Sequence, residues 1–324
     1  MKVTVLAGGL GGSRFARALA ETIDPADVTV VGNVGDDLEI AGLHVSPDLD
    51  TILYTLAGML DEERGWGRAD ESWNAREAAT GLGAETWFQL GDRDLGLHLA
   101  RTEMLQSGET LSAVTARFAR ALGVATAILP ATDDRVRTRV ATPAGELSFQ
   151  EWFVRRGHRD EVDGVRFEGA DTATAAPGVL AALDGADLIT IAPSNPFVSI
   201  GPILAVTGIR EALERRRAPA VAISPLIGGR AVRGPADRML ARLAGGTGPA
   251  QVTQCYLGLI DALVVDEADA HEDAGIPTIV TRTLMRDADA RRRLAEAVLG
   301  SPGRTAAPAK PARPPRSASQ ASTL

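Results

Sequence analysis

Apolar residues follow two spacings along this chain. Short, near-continuous runs at residues 3–7, 28–31, 125–129, 188–192, 220–224, 262–265 and 277–280 have the length of strands buried on both faces. Between them, apolar residues recur at helical spacing. Phe15, Ala16 and Leu19 mark a helix over 13–20, and Ile52, Leu53, Leu56 and Met59 mark one over 50–60. Residues 96–122 predict two helices broken near Gly108, and further helices are expected at 178–183, 203–215, 236–243 and 286–299. Residues 252–258 read as helical or mixed. Strand, glycine turn, helix, strand at the start opens a βαβ unit. The expected fold is therefore α/β: a Rossmann-like parallel sheet flanked by helices.

Two stretches interrupt this alternation. Residues 136–167 carry short alternating segments, Arg137–Thr142 and Leu147–Phe149, that predict a β-hairpin. They form a smaller inserted or peripheral subdomain, leaving 1–135 and 168–300 as the core. The segment 34–47 is rich in turns, and 61–80 is polar around Trp66 and Trp73. Beyond Gly300 the chain turns Ala/Pro/Ser/Arg-rich, and 301–324 is expected to be a disordered tail without a catalytic role.

Composition then narrows the choices. The chain has 324 residues, 45% of them hydrophobic, which suits one large or two smaller globular domains. Net charge is −8; the tail holds Arg304, Lys310, Arg313 and Arg316 and no acid, so the body is more acidic still. Nucleic acid is not expected as a partner of such a body. Cys255 is the only cysteine, which rules out an intrachain disulfide and a cysteine metal cluster. No run of 18 apolar residues occurs, and the N-terminal apolar run is too short for a signal peptide. No membrane association and a cytoplasmic location follow as expectations. Lysine occurs only at positions 2 and 310, so a cationic clamp must use arginine, histidine, a metal or backbone amides.

Six segments carry candidate chemistry, most of them just past a strand, where open α/β sheets bind ligands. Gly8-Gly9-Leu10-Gly11-Gly12-Ser13 sits between strand and helix, where amides can hold phosphate. It is neither a dinucleotide fingerprint, because Arg14 takes the last glycine position, nor a Walker A loop. Asp36 and Asp37, beside Asn33, and Asp48 and Asp50 place four carboxylates at neighbouring element ends. Such a group suits Mg²⁺, although Asp48 or Asp50 could equally cap a helix. Trp87 to His98 joins an aromatic pair to a polar turn with Asp92 and Arg93. Thr132 to Thr138 offers arginines to phosphate or to solvent. Pro193-Ser194-Asn195-Pro196 is a stiff turn rich in polar groups, and Gly228-Gly229-Arg230, with Arg233, adds amides and guanidinium groups.

Taken together, Met1–Ser13, Gly32–Asp37, Trp87–His98, Pro193–Gly201 and Ser224–Pro235 resemble the 2-phospho-L-lactate transferase family of coenzyme F420 biosynthesis, whose actinobacterial members are phosphoenolpyruvate transferases. The resemblance covers roughly residues 1–290. It implies a Mg²⁺-dependent transfer to the deazaflavin alcohol Fo from a guanosine-diphosphate-linked lactate or enolpyruvate. GMP leaves, and F420-0 or its dehydro form results. It further implies a homodimer. On this reading Asp48 and Asp50 are the first candidates for the metal and Asp36 and Asp37 the next, and either pair could orient the attacking hydroxyl. Gly9, Gly11, Gly12, Ser13, Asn33, Ser194, Asn195, Gly228, Gly229, Arg230 and Arg233 hold the donor, while Trp87, Asp92 and His98 border the deazaflavin. The Ala/Arg/Gly bias tips the donor toward enolpyruvate. Two other readings stay open. One is a different nucleotide-dependent phosphate-group transferase on this fold, and the other is a nucleotide-binding regulator without turnover.

Overall fold

The computed structural model describes residues 1–301. The expected disordered tail therefore lies, but for Ser301, outside the described residues.

The central sheet has seven strands, all paired in parallel. In chain order they are β1 (Val3–Ala7), β2 (Val28–Gly32), β3 (Ala127–Pro130), β4 (Leu188–Ile191), β5 (Ala220–Ile223), β6 (Ala262–Val265) and β7 (Thr278–Val280). In space they run β7-β6-β5-β4-β1-β2-β3. The chain thus winds outward from β1 to one edge, returns to β4, and winds to the other, as in doubly wound folds. Val3 pairs with both Val28 and Leu188, which fixes β1 at the centre.

Burial explains this order. Every residue of β1, β4, β5 and β6 is buried, so these strands need cover on both faces. Alternate side chains feed two cores. Leu6, Val31, Ile189, Ile191 and Leu263 pack against Val179, Ile209 and Leu240 on one side. Val3, Val5, Val30, Leu188 and Val264 pack against Phe15, Ile52 and Leu294 on the other. β3 and β7 form the edges. Their outer positions are exposed, and Pro130, which lacks an amide donor, ends β3.

The helices depart from expectation at glycine and proline positions. Helix α1 spans Gly9–Thr22, so the glycine run is its first turn rather than a loop before it. Helix α2 spans Pro47–Leu56 and begins earlier than expected, with proline at its start. Asp48 and Asp50 both fall in its first turn; its cap residue is Ser46 rather than either aspartate. The helix expected over 203–215 is two short helices, Gly201–Ala205 and Ile209–Arg215, divided where Gly208 takes φ 90°. The turn-rich segment 34–47 holds a small hairpin, Leu38–Ile40 with Leu43–Val45.

The interruption near residue 140 is larger than a hairpin. Arg137–Thr142 pairs on one side with Gly145–Ser148 and on the other with Gly164–Glu168. Trp152 lies buried between, in a helical turn over Glu151–Arg155, and donates its indole N–H to the Asp160 carbonyl at 3.3 Å. A third apolar cluster of Val140, Phe149, Trp152, Val198 and Met239 joins this unit to the core beside the loop after β4. Among the described residues no helix is long and apolar enough to cross a membrane.

Candidate functional site

The sheet changes winding direction between β1 and β4, and the loops leaving their carboxyl ends part there. A cavity of about 940 Å³ occupies that position. Gly8, Gly9, Gly11, Asp36, Asp48, Asp50, Trp87, His98, Ser194, Asn195 and Arg233 line it, which brings together residues from most of the candidate segments.

Glycine is required at the start of α1 by close approach. A Cβ on Gly11 would stand 2.5 Å from the Pro193 carbonyl oxygen, and one on Gly12 would stand 2.7 Å from Ser194 Oγ. The first turn of α1 therefore lies directly on the loop after β4. Ser194 completes the contact by donating to the Gly8 carbonyl at 2.8 Å. No side chain caps the helix, so its opening N–H groups and positive dipole end face the cavity. Gly9 is an exception, because its amide donates to Asp48 Oδ1 at 2.9 Å.

Asp48 is held at both oxygens, since Oδ2 accepts from Asn33 Nδ2 at 2.8 Å. Asn33 uses its own oxygen to accept from the Gly35 amide at 2.8 Å, so it positions Asp48 and the turn rather than reaching the cavity. Burial pushes the Asp48 carboxyl up to about 6, against the pull of the Asn33 and Gly9 bonds. Burial, with repulsion from Asp48, holds the Asp36 carboxyl well above the usual range. Asp36 Oδ1 is buried without a hydrogen-bond partner. Two mutually repelling carboxylates, one with an open oxygen, form a donor set that a divalent cation would relieve.

Asp50 does not share that character. Both Nη atoms of Arg101 grip its carboxylate, and Arg101 is buried. Arg101 Nη1 also donates to His98 Nδ1 at 3.3 Å, which leaves the His98 proton on Nε2, 3.3 Å from Asp94 Oδ1. Tyr54 donates to the same Asp94 oxygen at 2.6 Å. Burial raises the Asp94 carboxyl, but His98, Tyr54 and Arg101 outweigh it and hold it low. Burial and the nearby Asp50 push the Tyr54 hydroxyl far up, so it stays a donor. Tyr54, Asp94 and Arg101 are missing from the sequence reading. The signal was present, because Asp94, His98 and Arg101 recur at i, i+4, i+7 on one face of the helix Asp92–Gln106. Among the described residues no group of three or more acid, histidine or cysteine side chains is arranged to hold a metal by itself.

Other expected residues lie elsewhere. Asp37 faces a neighbouring cavity, and its Oδ2 accepts from Ser46 Oγ at 2.8 Å with His44 Nε2 at 3.1 Å. Ser13 lies on the buried face of α1 and does not line the cavity, donating to the Leu10 carbonyl at 2.9 Å. Asp92 anchors the start of the helix Asn74–Gly81, accepting from the Asn74 and Ala75 amides at 3.1 and 3.0 Å. Bonds from Ser72 and from those amides hold its carboxyl down to about 2, and it does not line the cavity. The Gly228 and Gly229 amides both donate to Asp269 at 3.0 Å, and neither they nor the exposed Arg230 line the cavity. Arg233 does, with Nη1 donating to the Arg64 carbonyl at 2.9 Å. Asn195 fixes its own loop, accepting from the Phe197 amide at 2.9 Å.

The aromatic lining exceeds what the sequence suggested. Trp87 meets Phe88 edge to face at 5.7 Å. Opposite the sheet, Phe149, Phe153 and His158 form a column with centroid steps of 5.2 and 5.1 Å. Burial and the adjacent Arg238 lower the His158 imidazole, which favours its neutral form.

Residues 3–293 match the sequence profile of 2-phospho-L-lactate transferase CofD. The chain belongs to that family. It is 45% identical over 311 residues to a phosphoenolpyruvate transferase of Streptomyces griseus, covering 92% of this chain and 98% of that one. It is 46% identical over 313 residues to one of Kitasatospora aureofaciens, covering 92% and 97%. With one of Mycobacterium tuberculosis the identity is 42% over 322 residues, covering 92% and 97%. A solved UPF0052 family protein from Bacillus halodurans shares the fold at a TM-score of 0.62 and 19% identity, covering 92% of this chain and 98% of that one.

Proposed function

We propose that this protein transfers a phosphoenolpyruvyl group from a guanosine-diphosphate-linked donor to the terminal ribityl hydroxyl of the deazaflavin Fo, releasing GMP and giving dehydro-F420-0. Family membership makes the chain a transferase of the phosphoenolpyruvate/2-phospholactate class in coenzyme F420 biosynthesis. Enolpyruvate is preferred to lactate as the donor group because the similar relatives quoted above are phosphoenolpyruvate transferases.

The observation that carries the reading is the Asp36–Asp48 pair beside the uncapped start of α1, on the floor of an aromatic-walled cavity. Amides at a helix start suit a diphosphate. Two carboxylates at that same place would repel the diphosphate unless a cation lay between. Asp36 and Asp48, rather than Asp48 with Asp50, would therefore hold Mg²⁺. When bound, the metal would neutralise charge on the transferring group. Asp50, fixed by Arg101, orients the attacking hydroxyl, and the aromatic residues hold the deazaflavin ring. Phosphoryl transfer needs alignment and charge stabilisation more than covalent catalysis, and these residues supply both. The same reading carries a homodimer, which sedimentation velocity tests.

The test is a coupled reaction with Fo, GTP, Mg²⁺ and an active guanylyltransferase, with phosphoenolpyruvate and 2-phospholactate in parallel. Dehydro-F420-0 should form faster than F420-0. Faster F420-0 would reverse the donor, and no product from either would remove the reaction.

A further inference from the structure

Asp36 sits in a short turn, 33–37, that follows β2. Two bonds tie this turn to itself. The Gly35 amide donates to Asn33 Oδ1 at 2.8 Å, and the Asp37 amide donates to the Val34 carbonyl at 3.2 Å. Neither of them engages the Gly35 or the Asp36 carbonyl. The inserted unit takes both. The Thr138 amide donates to the Gly35 carbonyl at 2.7 Å, and Gln150 Nε2 donates to the Asp36 carbonyl at 3.0 Å, from 114 positions further along the chain.

Packing leaves the turn little freedom. A Cβ on Gly35 would stand 2.6 Å from Thr138 Oγ1 and 2.7 Å from Pro202 Cβ, so the turn is gripped between the insertion and the core. Gln150 is itself buried, and it lies between Phe149 and the helical turn Glu151–Arg155. Phe149 and Trp152 anchor that stretch of backbone in the third apolar cluster. A fixed frame therefore aims the Gln150 amide.

The two carboxylates at the cavity are oriented in different ways. Asp48 is held through its side chain, with one oxygen on the Gly9 amide and the other on Asn33. Asp36 Oδ1 has no partner, so the direction of this carboxylate depends on its main chain. A buried carbonyl that loses its donor is costly, and the peptide rotates to find another. We propose that Gln150 is a positioning residue for the metal site: by holding the Asp36 carbonyl, it keeps the Asp36 carboxylate beside Asp48, where the pair would hold Mg²⁺. The proposal rests on the assignment of Mg²⁺ to Asp36 and Asp48 made above. It makes the inserted unit a part of the metal site rather than a peripheral addition.

The experiment is Mn²⁺ titration of the full chain, with Mn²⁺ standing in for Mg²⁺ and the free ion read by electron paramagnetic resonance. Circular dichroism checks that each variant is folded. Gln150→Met removes the donor at nearly unchanged volume and should weaken Mn²⁺ binding by about 10–100-fold, as for other groups that orient a metal ligand. Gln150→Ala, smaller and easier to accommodate, carries the same expectation if the methionine variant does not fold. Gln150→Glu separates positioning from direct ligation. A side chain that touched the metal would bind it more tightly as a carboxylate, whereas one that acts through the Asp36 carbonyl would not. Asp36→Asn tests the underlying assignment and should also weaken Mn²⁺ binding. Unchanged affinity in Asp36→Asn, or no Mn²⁺ bound by the wild type, would take the metal off Asp36 and the proposal with it. A loss in Asp36→Asn beside wild-type affinity in the folded Gln150 variant, or tighter binding by Gln150→Glu, would overturn the positioning role alone and leave the assignment standing.

Discussion

Two glycine-rich turns follow strands of the central sheet, and they do different work. Gly8–Gly12 follows β1 and becomes the first turn of α1; its glycines let backbone lie against the Pro193–Ser194 loop, and its amide end faces the cavity. Gly228–Gly229 follows β5 as the tip of a two-residue-stranded hairpin, with φ of 60° and 69°. Its amides point to Asp269 and are spent there. Both turns have the composition of a phosphate cradle. The difference is how many amides the fold takes: Asp269 takes both in the second turn, whereas at the start of α1 Asp48 takes that of Gly9 and Ser194 that of Gly8, and no side chain takes those of Leu10 and Gly11. A glycine turn can hold a ligand only through the N–H groups that the protein does not already take.

The surroundings of the first turn should be the most sensitive. Arg101→Met leaves the buried Asp50 carboxylate unpaired and should cost about 3–5 kcal/mol of stability, read from denaturant unfolding. A smaller loss would mean that Asp50 finds water once Arg101 is gone. Asp48→Asn should keep the fold and lower Mg²⁺-dependent turnover by about 100-fold, or roughly 2.7 kcal/mol in the barrier. Retained turnover would take Asp48 out of the metal site.

Gly11→Ala forces a Cβ toward a backbone oxygen and should cost about 1–3 kcal/mol together with most of the activity. The contrasting change at the second turn is Asp269→Ala. It should cost about 1 kcal/mol and leave turnover within a few-fold, because those amides regain water. A large activity loss from Asp269→Ala would erase the distinction between the turns.

The smallest effect is on pH. The folded Asp48 carboxyl lies near 6, above its unfolded value of about 4. Its contribution to stability is therefore complete below about pH 4 and is lost as pH rises through about 6. Without metal, the wild type should lose stability over that interval relative to Asp48→Asn. Mg²⁺ should restore it above pH 6, where the Asp48 carboxyl is ionised. A metal effect of equal size at pH 5 and pH 8 would contradict the assignment.

The sheet was legible because its strands are buried on both faces and so read as plain apolar runs, such as Val3–Ala7 and Leu188–Ile191. The start of α1 was not, because glycine signals a turn locally while tertiary contact with Pro193 decides the outcome. The carboxylates at the cavity were legible as a cluster. Their separate roles were not, because these depend on partners far along the chain: Asn33 for Asp48, Arg101 for Asp50, and Ser46 for Asp37. Asp92 shows the opposite error. An acid in a polar turn beside tryptophan looked like a ligand contact, and it secures the start of a helix instead. The insertion was visible as a change of period, but its aromatic column at the cavity depends on how Phe149, Phe153 and His158 fold back together.

The most direct measurement of the central claim is product formation by the purified chain with Fo, Mg²⁺ and the enolpyruvyl donor made in situ, comparing the wild type with Asp48→Asn at matched folding. The account predicts dehydro-F420-0 and GMP in equal amounts from the wild type and almost none from the variant. GMP without dehydro-F420-0, or equal product from both proteins, would contradict it.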